Sequence, residues 1–318
     1  MSLPWLDEQR QALNLALTQQ RLGHAPLLLG PEGLGKRSLA QWLVARILCQ
    51  SPQAGEPCGQ CRSCQLLAAG SHPDLFQALI PEDKSQIPVD VIRELCQGLQ
   101  LTPSIGRCRV GLIEPAEAMN RNAANALLKT LEEPSDQTWL VLVSHDPERL
   151  PATIRSRCQK IAIRVPAKAD ASAWLSRQSP ETDPDELQLA LMAAGGAPCR
   201  ALELLQGDGL TFGLDIRRSL LALATDGSIA AETTTEWAKR AQETWFWIGH
   251  WLHQCLGQSL GLADRGHPHW PQPAHADSLN LLWQQALQGR QLADSSIRAD
   301  LLLDKWLLEW SSSFESRD

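Results

Sequence analysis

The chain has 318 residues, which is too long for one ordinary compact core and suits two or three domains of about 100 to 150 residues each. Apolar residues make up 43% and charged residues 20%, with no long polar tract, which excludes a disordered scaffold. With a net charge of -7 and a pI near 5.6, the chain lacks the excess of basic residues that is typical of a protein that binds nucleic acid by itself. Any DNA contact should therefore be local or shared with partners.

The beginning of the chain has acidic residues before any apolar run and lacks a basic region, which disfavours a secretory signal. No run approaches the ~18 uninterrupted apolar residues that a membrane span needs, so we expect no membrane contact. These features predict a cytoplasmic protein, in which the nine cysteines stay reduced. A tight cysteine cluster then indicates a metal site in preference to a disulfide.

Short apolar runs alternate with helix-length segments between Ala25 and about Val165. Strands are predicted over APLLLG, RVGLIEP, TWLVLVS and KIAIRV, and helices over SLAQWLVARIL and AANALLKTLEE. Such alternation predicts an α/β domain in which crossover helices connect the strands of a parallel sheet.

After Pro166 the pattern changes to helical periodicity, as in ASAWLSRQ, DELQLALMAAGG and CRALELLQ, which is closed by a turn at Gly207–Gly209. From about Leu210 the segments are helical, with a loop at Gly266–His275. The tryptophans expected to pack these helices together are Trp245, Trp247, Trp251, Trp283, Trp306 and Trp310. We therefore predict three domains, at residues 1–166 with an insertion at 49–64, 167–208 and 209–318.

A phosphate-binding loop is indicated by GPEGLGK, which follows an apolar strand and opens a helix. Glycines at Gly30, Gly33 and Gly35 would let backbone N–H groups wrap phosphates at a helix N-terminus, and Lys36 would reach the outer phosphates. The next residue is Arg37, at the position where a Ser or Thr hydroxyl should hold magnesium. The loop thus has phosphate-binding ancestry, and whether it still takes ATP or only joins helix to strand stays open at this point.

The second nucleotide signature should be an apolar strand that ends in Asp-Glu, with Asp organising magnesium and Glu orienting the attacking water. Here the strand VGLI is followed by Glu114 and Pro115, and proline has no side-chain chemistry. Glu117 lies two residues too far along to replace the missing base simply. Since groups are altered at two independent places, the sequence predicts an inactive ATPase site.

Four cysteines follow the predicted helix with the spacing C-x8-C-x2-C-x2-C, at Cys49, Cys58, Cys61 and Cys64. Thiolates at this spacing can close a tetrahedral zinc site, and four protein ligands leave no open position for catalysis, so we predict one structural zinc ion. We interpret His72 as a turn residue and not as a further ligand. The remaining cysteines are predicted to be ordinary core residues: Cys96, Cys108, Cys158, Cys199 and Cys255.

The segment NAANALLKTLEEP predicts an amphipathic helix that Pro134 stops. Its apolar stripe comprises Ala124, Leu127, Leu128 and Leu131. By itself this pattern indicates core packing only. It becomes distinctive because the strand TWLVLVS, the segment DPERL and a Ser-Arg-Cys triplet centred on Arg157 follow it.

Taken in this order, PLLLGPEGLGK, the four-cysteine insertion, NAANALLKTLEEP, SHDPERLPATIRSRC and GGAPCRALEL resemble the clamp-loader branch of the AAA+ proteins. The resemblance covers roughly residues 4–205 by specific motifs and the C-terminal part by its helical character alone. It implies a AAA+ fold, that is, a P-loop NTPase-like parallel sheet with a zinc module, then a small helical lid domain and an all-α collar domain for oligomerisation.

In that family the arginine of Ser-Arg-Cys reaches across a subunit interface to the ATP of a neighbour, and the resemblance carries this role over to Arg157. A guanidinium suits the role because it is always charged and can meet the negative charge that develops on the γ-phosphate. We expect Arg157 to follow a strand end and to face a neighbouring subunit. The plain alternative for this residue is a surface salt bridge.

Hydrolysing subunits of that family keep the magnesium Thr and the Asp-Glu pair, whereas one kind of subunit combines a degenerate site with an intact Ser-Arg-Cys, as this sequence does. The resemblance implies a rigid member of a five-subunit ring with ATP-hydrolysing subunits and a clamp-opening delta subunit. That ring places the sliding clamp of DNA polymerase III on primer-template DNA. The alternative is an ATP-hydrolysing motor subunit that uses Arg37 and Glu114 unconventionally. A free-standing zinc DNA-binding protein is disfavoured by the acidic charge and the closed metal site.

Overall fold

A computed structural model of the chain describes residues 3–82, 84–226, 233–261, 270–271, 276–293 and 297–314. The chain forms two compact units, Met1–Ala201 and Leu202–Asp318. The helical segments directly after the α/β part therefore group with it in the first unit. The division into three domains stays a prediction.

The first unit is built on a five-stranded sheet. Its strands are β1 Pro26–Leu29, β2 Leu75–Leu79, β3 Arg109–Glu114, β4 Thr138–Ser144 and β5 Gln159–Ala162. They lie in the order β2-β3-β4-β1-β5, and all pairs are parallel. The predicted parallel sheet is confirmed, and the carboxyl ends of β1, β3 and β4 meet at one edge, where the loops after them lie side by side.

Helices connect these strands and make up the rest of the chain. Those of the first unit are α1 Asp7–Thr18, α2 Lys36–Leu48, α3 Arg62–Ala68, α4 Val89–Gln100, α5 Arg121–Glu132, α6 Ala152–Arg155, α7 Lys168–Gln178 and α8 Pro184–Ala193. Helix α9, Pro198–Gln206, spans the boundary between the units. The second unit contains α10 Gly209–Asp226, α11 Thr233–Lys239, α12 Ala241–Ser259, α13 Ala276–Leu292 and α14 Ala299–Ser312.

Helix α5 shows how the local sequence sets an element. The side chain of Asn120 caps it by accepting a hydrogen bond from the backbone N–H of Ala123 at 2.8 Å, and the helix ends at Glu132, shortly before Pro134. Ala124, Leu127 and Leu131 are buried in the core under the sheet, and Leu128 packs against it half-buried. The predicted apolar stripe is therefore confirmed as core packing.

Strand β2 and helix α4 are two of the elements of this unit that were not predicted from the sequence. Strand β2 is a half-buried edge strand of five residues, so its sequence LFQAL lacks the continuous apolar run of the central strands. Helix α4 buries Ile92, Leu95 and Leu99 at helical spacing. That periodicity was present in the sequence and could have identified the helix.

The second unit is an all-helical cluster centred on tryptophans. Some of their indole N–H groups reach backbone carbonyls: Trp251 donates to Gly213 at 2.7 Å, and Trp310 to Leu220 at 2.9 Å. Trp245, Trp247 and Trp306 are also buried, as predicted, whereas Trp283 is only half-buried. The predicted loop at Gly266–His275 lies outside the described residues, except for Trp270 and Pro271.

Across the described part of the chain, none of the helices combines the length and the apolar character that crossing a bilayer requires.

Candidate functional site

The glycine loop after β1 is tightly packed by its own unit. Gly33 has a φ of 77°, which favours glycine, and a Cβ added there would lie 2.3 Å from the Cβ of Arg200. The backbone N–H of Cys199 donates to the Gly33 carbonyl at 3.0 Å, and the indole N–H of Trp5 donates to the Leu34 carbonyl at 2.9 Å. The loop is therefore held by the start of α9 on one side and by the N-terminal segment on the other.

Lys36 begins helix α2 and is buried. Its Nζ donates to the carbonyl oxygen of Pro31 at 2.5 Å, so the side chain folds back over the loop. Burial lowers the pKa of Lys36 to about 8, although the carboxylates of Glu117, Glu32 and Glu114 act in the opposite direction. The structure thus brings the lysine and the three glycines of the motif, Gly30, Gly33 and Gly35, around one loop at the end of β1.

The place of the magnesium ligands is taken by an ion pair. Arg37 Nε donates to Glu114 Oε2 at 3.0 Å. The Glu114 side chain is only 7% exposed, whereas the Arg37 side chain is 63% exposed. The carboxylate at the end of β3 is therefore neutralised by the residue that stands where a hydroxyl would be expected.

Glu117 is held away from the position of a catalytic base. Its Oε1 accepts the backbone N–H groups of His145 and Asp146 at 2.8 and 3.1 Å, which ties it to the loop after β4. Pro115, directly after Glu114, has no functional group. No carboxylate therefore follows β3 at the place where the nucleotide signature needs one, among the residues that the structure describes.

Three buried polar atoms around this edge of the sheet were not identified from the sequence. Glu117 Oε2, Ser144 Oγ and His145 Nδ1 have no hydrogen-bond partner among the described residues. Burial, followed by the nearby charge of Lys36, lowers the pKa of His145. Ser144 ends the apolar run TWLVLVS, and a polar residue at the end of a central strand is a signal that could have identified it.

The four predicted zinc ligands lie together. Their sulfur atoms all lie within 4.8 Å of one another, and those of Cys49 and Cys61 are 4.0 Å apart. Four sulfurs at about 2.3 Å from zinc would be about 3.8 Å apart, so a small contraction brings the cluster to tetrahedral geometry. The ligand set Cys49, Cys58, Cys61 and Cys64 therefore fits a zinc ion.

The environments of these thiols differ. The Ser51 hydroxyl and the backbone N–H groups of Gln60 and Cys61 donate to Cys58 and lower its pKa to about 6. Burial raises the pKa of Cys64 to about 12. Because zinc binds cysteine as thiolate, its binding must displace the protons that these thiols carry.

A buried chain of hydrogen bonds joins the cysteine cluster to the sheet. Ser63 Oγ lies 2.6 Å from His72 Nε2, and the backbone N–H of Asp74 donates to His72 Nδ1 at 3.1 Å. The backbone N–H of Leu75 donates to the His72 carbonyl at 3.2 Å, so His72 is a turn residue, as predicted, and it is not part of the sulfur cluster. Of the remaining cysteines, Cys96, Cys108 and Cys255 are buried, and Cys158 and Cys199 are half-buried.

Arg157 lies in the turn between α6 and β5, with a side chain 37% exposed. It precedes a strand, so the expectation that it follows one is wrong. Its Nη1 donates to the Thr153 carbonyl at 3.0 Å, and its Nη2 pairs with Glu132 at the end of α5. The guanidinium is oriented by these two contacts at the surface of the first unit.

Comparison with known proteins gives consistent matches. The family model described as DNA polymerase III, delta subunit, matches residues 5–167. The Pseudomonas aeruginosa protein named DNA polymerase III subunit delta' is 39% identical over 309 residues, which cover 91% of this chain and 92% of that protein. The Escherichia coli K12 protein of the same name is 40% identical over 205 residues, covering 64% of this chain and 61% of that protein.

Among solved structures, a Thermotoga maritima protein described as DNA polymerase III, gamma subunit-related, matches with a TM-score of 0.52 at 16% identity, covering 96% of this chain and all of that one. At this identity the match shows a shared fold.

Proposed function

This chain belongs to the delta-prime family of DNA polymerase III subunits, and from that premise we propose that it is a clamp-loader subunit that contributes one catalytic side chain to its neighbour. In this role it is a rigid member of the ring that places the sliding clamp on primer-template DNA. Its partners are the ATP-hydrolysing subunits and the delta subunit, in a ring of five.

One observation carries the proposal: the chain's own nucleotide site lacks its catalytic groups, while Arg157 is presented at the surface. Glu114 is neutralised by Arg37, Pro115 replaces the base, and Glu117 caps another loop. A nucleotide site that lacks a side chain to orient the attacking water is expected to hydrolyse ATP very slowly. Arg157, in contrast, lies at the surface with its side chain 37% exposed and pairs there with Glu132 of the same chain.

The rest of the chain has supporting roles in this proposal. Cys49, Cys58, Cys61 and Cys64 hold a structural zinc ion in the α/β domain at residues 1–166. The helical lid at 167–208 follows it, and the collar at 209–318 joins the ring. The protein acts in the cytoplasm.

A motor subunit is the alternative, and ATP turnover by the isolated chain separates the two. We expect negligible steady-state hydrolysis because the base is missing. Turnover of about 1 per second or more that is lost in Lys36→Ala would favour the motor.

The trans role of Arg157 is tested in a reconstituted clamp loader. Arg157→Ala should leave assembly intact and lower DNA- and clamp-stimulated ATP hydrolysis at the adjacent subunit, where trans-acting arginines contribute about 10³ to 10⁵ in rate in well-studied GTPases. The loss summed over the ring is expected to be smaller, since other sites keep their own arginines. Arg157→Lys should lower this hydrolysis nearly as much, because a lysine ammonium lacks the planar, forked arrangement of N–H donors that a guanidinium has.

A matched control is Arg155→Ala at the last residue of α6, two positions before Arg157, which also removes an ion pair, with Glu148 at 3.0 Å. Assembly is checked separately by size-exclusion chromatography. Wild-type rates for Arg157→Ala in an assembled ring would remove the catalytic role and leave a structural subunit.

A further inference from the structure

The cysteine cluster is surrounded by hydrogen-bond donors that point at its sulfur atoms. Three backbone N–H groups each donate to the sulfur of the preceding ligand: Cys58 to Cys49 at 3.3 Å, Cys61 to Cys58 at 3.3 Å and Cys64 to Cys61 at 3.5 Å. Zinc binds cysteine as thiolate, so four thiolates around one zinc ion carry a net negative charge. Donors aimed at the sulfurs therefore stabilise the metal-bound form.

A side-chain donor is added to this set by Ser51, whose Oγ donates to Cys58 Sγ at 3.5 Å. Among the described residues, this hydroxyl is the one side-chain group outside the four cysteines that hydrogen-bonds to a sulfur of the cluster. Ser51 is exposed and Cys58 is half-buried, whereas Cys49 and Cys64 are buried. The hydroxyl therefore supports a ligand on the solvent side of the cluster, and a substitution can remove it without altering the backbone donors.

The register of a short hairpin places Ser51 opposite Cys58. Gln53 and Glu56 exchange two backbone hydrogen bonds, at 2.9 and 2.8 Å, around the turn Ala54–Gly55, in which both residues have positive φ. Residues that lie opposite each other in an antiparallel pair bring their side chains together. Continuing this register outward by two residues on each side pairs Ser51 with Cys58, which agrees with the observed contact between their side chains.

The hairpin is fixed to helix α2 by contacts that need no metal ion. The indole N–H of Trp42 donates to Glu56 Oε2 at 2.6 Å, and Arg46 Nε donates to the Gly55 carbonyl at 3.1 Å. Both donors lie on α2, the helix that leads to the first zinc ligand. The register that sets the hydroxyl opposite its sulfur is therefore held by the protein itself, as a supporting contact of a metal site requires.

We propose that Ser51 is a positioning residue of the zinc site, whose hydroxyl holds the Cys58 thiolate in the coordination shell and so strengthens zinc binding. This inference rests on the proposed structural zinc ion. Hydrogen-bond partners of metal ligands typically contribute about 10- to 100-fold to metal affinity. Because Ser51 is exposed to competing water, we expect the lower end of that range, about tenfold.

The test measures the zinc affinity of the full chain by competition with a chromogenic chelator. Ser51→Ala should weaken zinc binding about tenfold and still take up zinc stoichiometrically at saturation, because all four ligands remain. Ser51→Thr keeps the hydroxyl and should stay within about twofold of the wild type. Ser71→Ala is the matched control, since Ser71 is an exposed serine outside the cluster, and it should bind zinc as the wild type does.

Substitution of Co²⁺ for zinc distinguishes positioning of the thiolate from a general structural effect. The thiolate-to-cobalt charge-transfer absorption depends on how readily the sulfur atoms donate electrons, and a hydrogen bond to sulfur reduces that donation. In Ser51→Ala these bands should therefore move to longer wavelength. In Ser51→Thr and Ser71→Ala they should stay where they are in the wild type.

Two results would overturn the inference and leave the zinc site standing. One is wild-type zinc affinity in Ser51→Ala. The other is an equal loss of affinity in Ser51→Ala and Ser51→Thr with unmoved cobalt bands, because the hydroxyl would then not be the group that matters. A wild-type chain that takes up no zinc would instead contradict the proposed zinc site, and the inference would fall with it. Clamp loading is measured separately by the Arg157 experiment.

Discussion

Asp74 shows how one residue holds several parts of the first unit together. Its carboxylate accepts backbone N–H groups from Ser104, Ile105 and Gly106 at 2.6, 2.9 and 3.2 Å, and lies 3.7 Å from Arg109 Nε. Burial alone would raise the pKa of Asp74, but the three N–H donors and Arg109 lower it. The ionised carboxylate therefore stabilises the fold.

Asp74→Asn should lower the free energy of unfolding by about 2 to 3 kcal/mol at neutral pH, since charge-assisted hydrogen bonds to a buried group are lost. A lowered folded-state pKa gives stability that is fully present above the unfolded-state pKa of about 3.9 and is lost as the pH falls through the folded-state value. Urea unfolding from neutral pH down to about pH 3 should show the difference between variant and wild type shrinking at the acid end.

Asp90→Asn is the control for Asp74→Asn, because the side chain of Asp90 is 85% exposed and pairs with Arg93 in the next turn. Its expected effect is within about 0.5 kcal/mol. A difference for Asp74→Asn that did not change with pH would contradict the account.

At the scale of elements, α10 and α12 of the second unit approach closely at a glycine. The carbonyl of Gly213 accepts the indole N–H of Trp251 at 2.7 Å, and a Cβ at Gly213 would come within 2.2 Å of the Trp247 ring. Trp247 is fully buried and stacks on Trp251, with ring centroids 5.5 Å apart. The ring has little room to move, so glycine is required for this packing.

Gly213→Ala should destabilise the second unit by about 1 to 3 kcal/mol, because a well-packed core does not absorb an added methyl group. Gly249→Ala is the matched substitution on α12. Nothing lies within 4 Å of a Cβ placed at Gly249, and alanine gains about 1 kcal/mol of helix propensity over glycine. The midpoint of chemical denaturation, followed by circular dichroism, should therefore fall for Gly213→Ala and rise for Gly249→Ala. Equal shifts in the two variants would contradict the packing argument.

At the scale of the whole molecule, the zinc module is a local addition to a sheet with its own core. The core of the sheet is assembled from strands and helices that include Leu27, Ile113 and Leu142, and it contains none of the four zinc ligands. The module is joined to the sheet through Ser63 and His72. Loss of the metal should therefore destabilise the insertion before it destabilises the sheet.

Cys61→Ser should abolish stoichiometric zinc binding and make residues 49–64 sensitive to protease, while the sheet stays folded. Removing one of four ligands breaks the closed coordination shell. Metal analysis and limited proteolysis measure the two effects, with Cys158→Ser as the cysteine control that should keep its zinc. Full zinc content in Cys61→Ser would contradict the proposed zinc site. Global unfolding of the variant would show that the effect of the module is not local.

Much of the fold and of the site could be predicted from sequence because the signals are local. The apolar runs of β1, β3 and β4 are nearly continuous since these central parallel strands are covered on both faces. The spacing of Cys58, Cys61 and Cys64 indicates one ligand cluster because neighbouring ligands are only a few residues apart. Strand β2 was missed because an edge strand needs no such run.

Local patterns in the sequence were enough to predict the central strands, the glycine loop, the loss of the catalytic base at Pro115 and the cysteine cluster, since each depends on residues close together in the chain. Only the tertiary structure decided which partners the altered residues acquire. Arg37 and Glu114 are 77 residues apart and meet because α2 and β3 converge at one sheet edge. Glu117 is likewise bound by a loop 28 residues away. Such long-range pairings depend on packing, which local patterns do not encode.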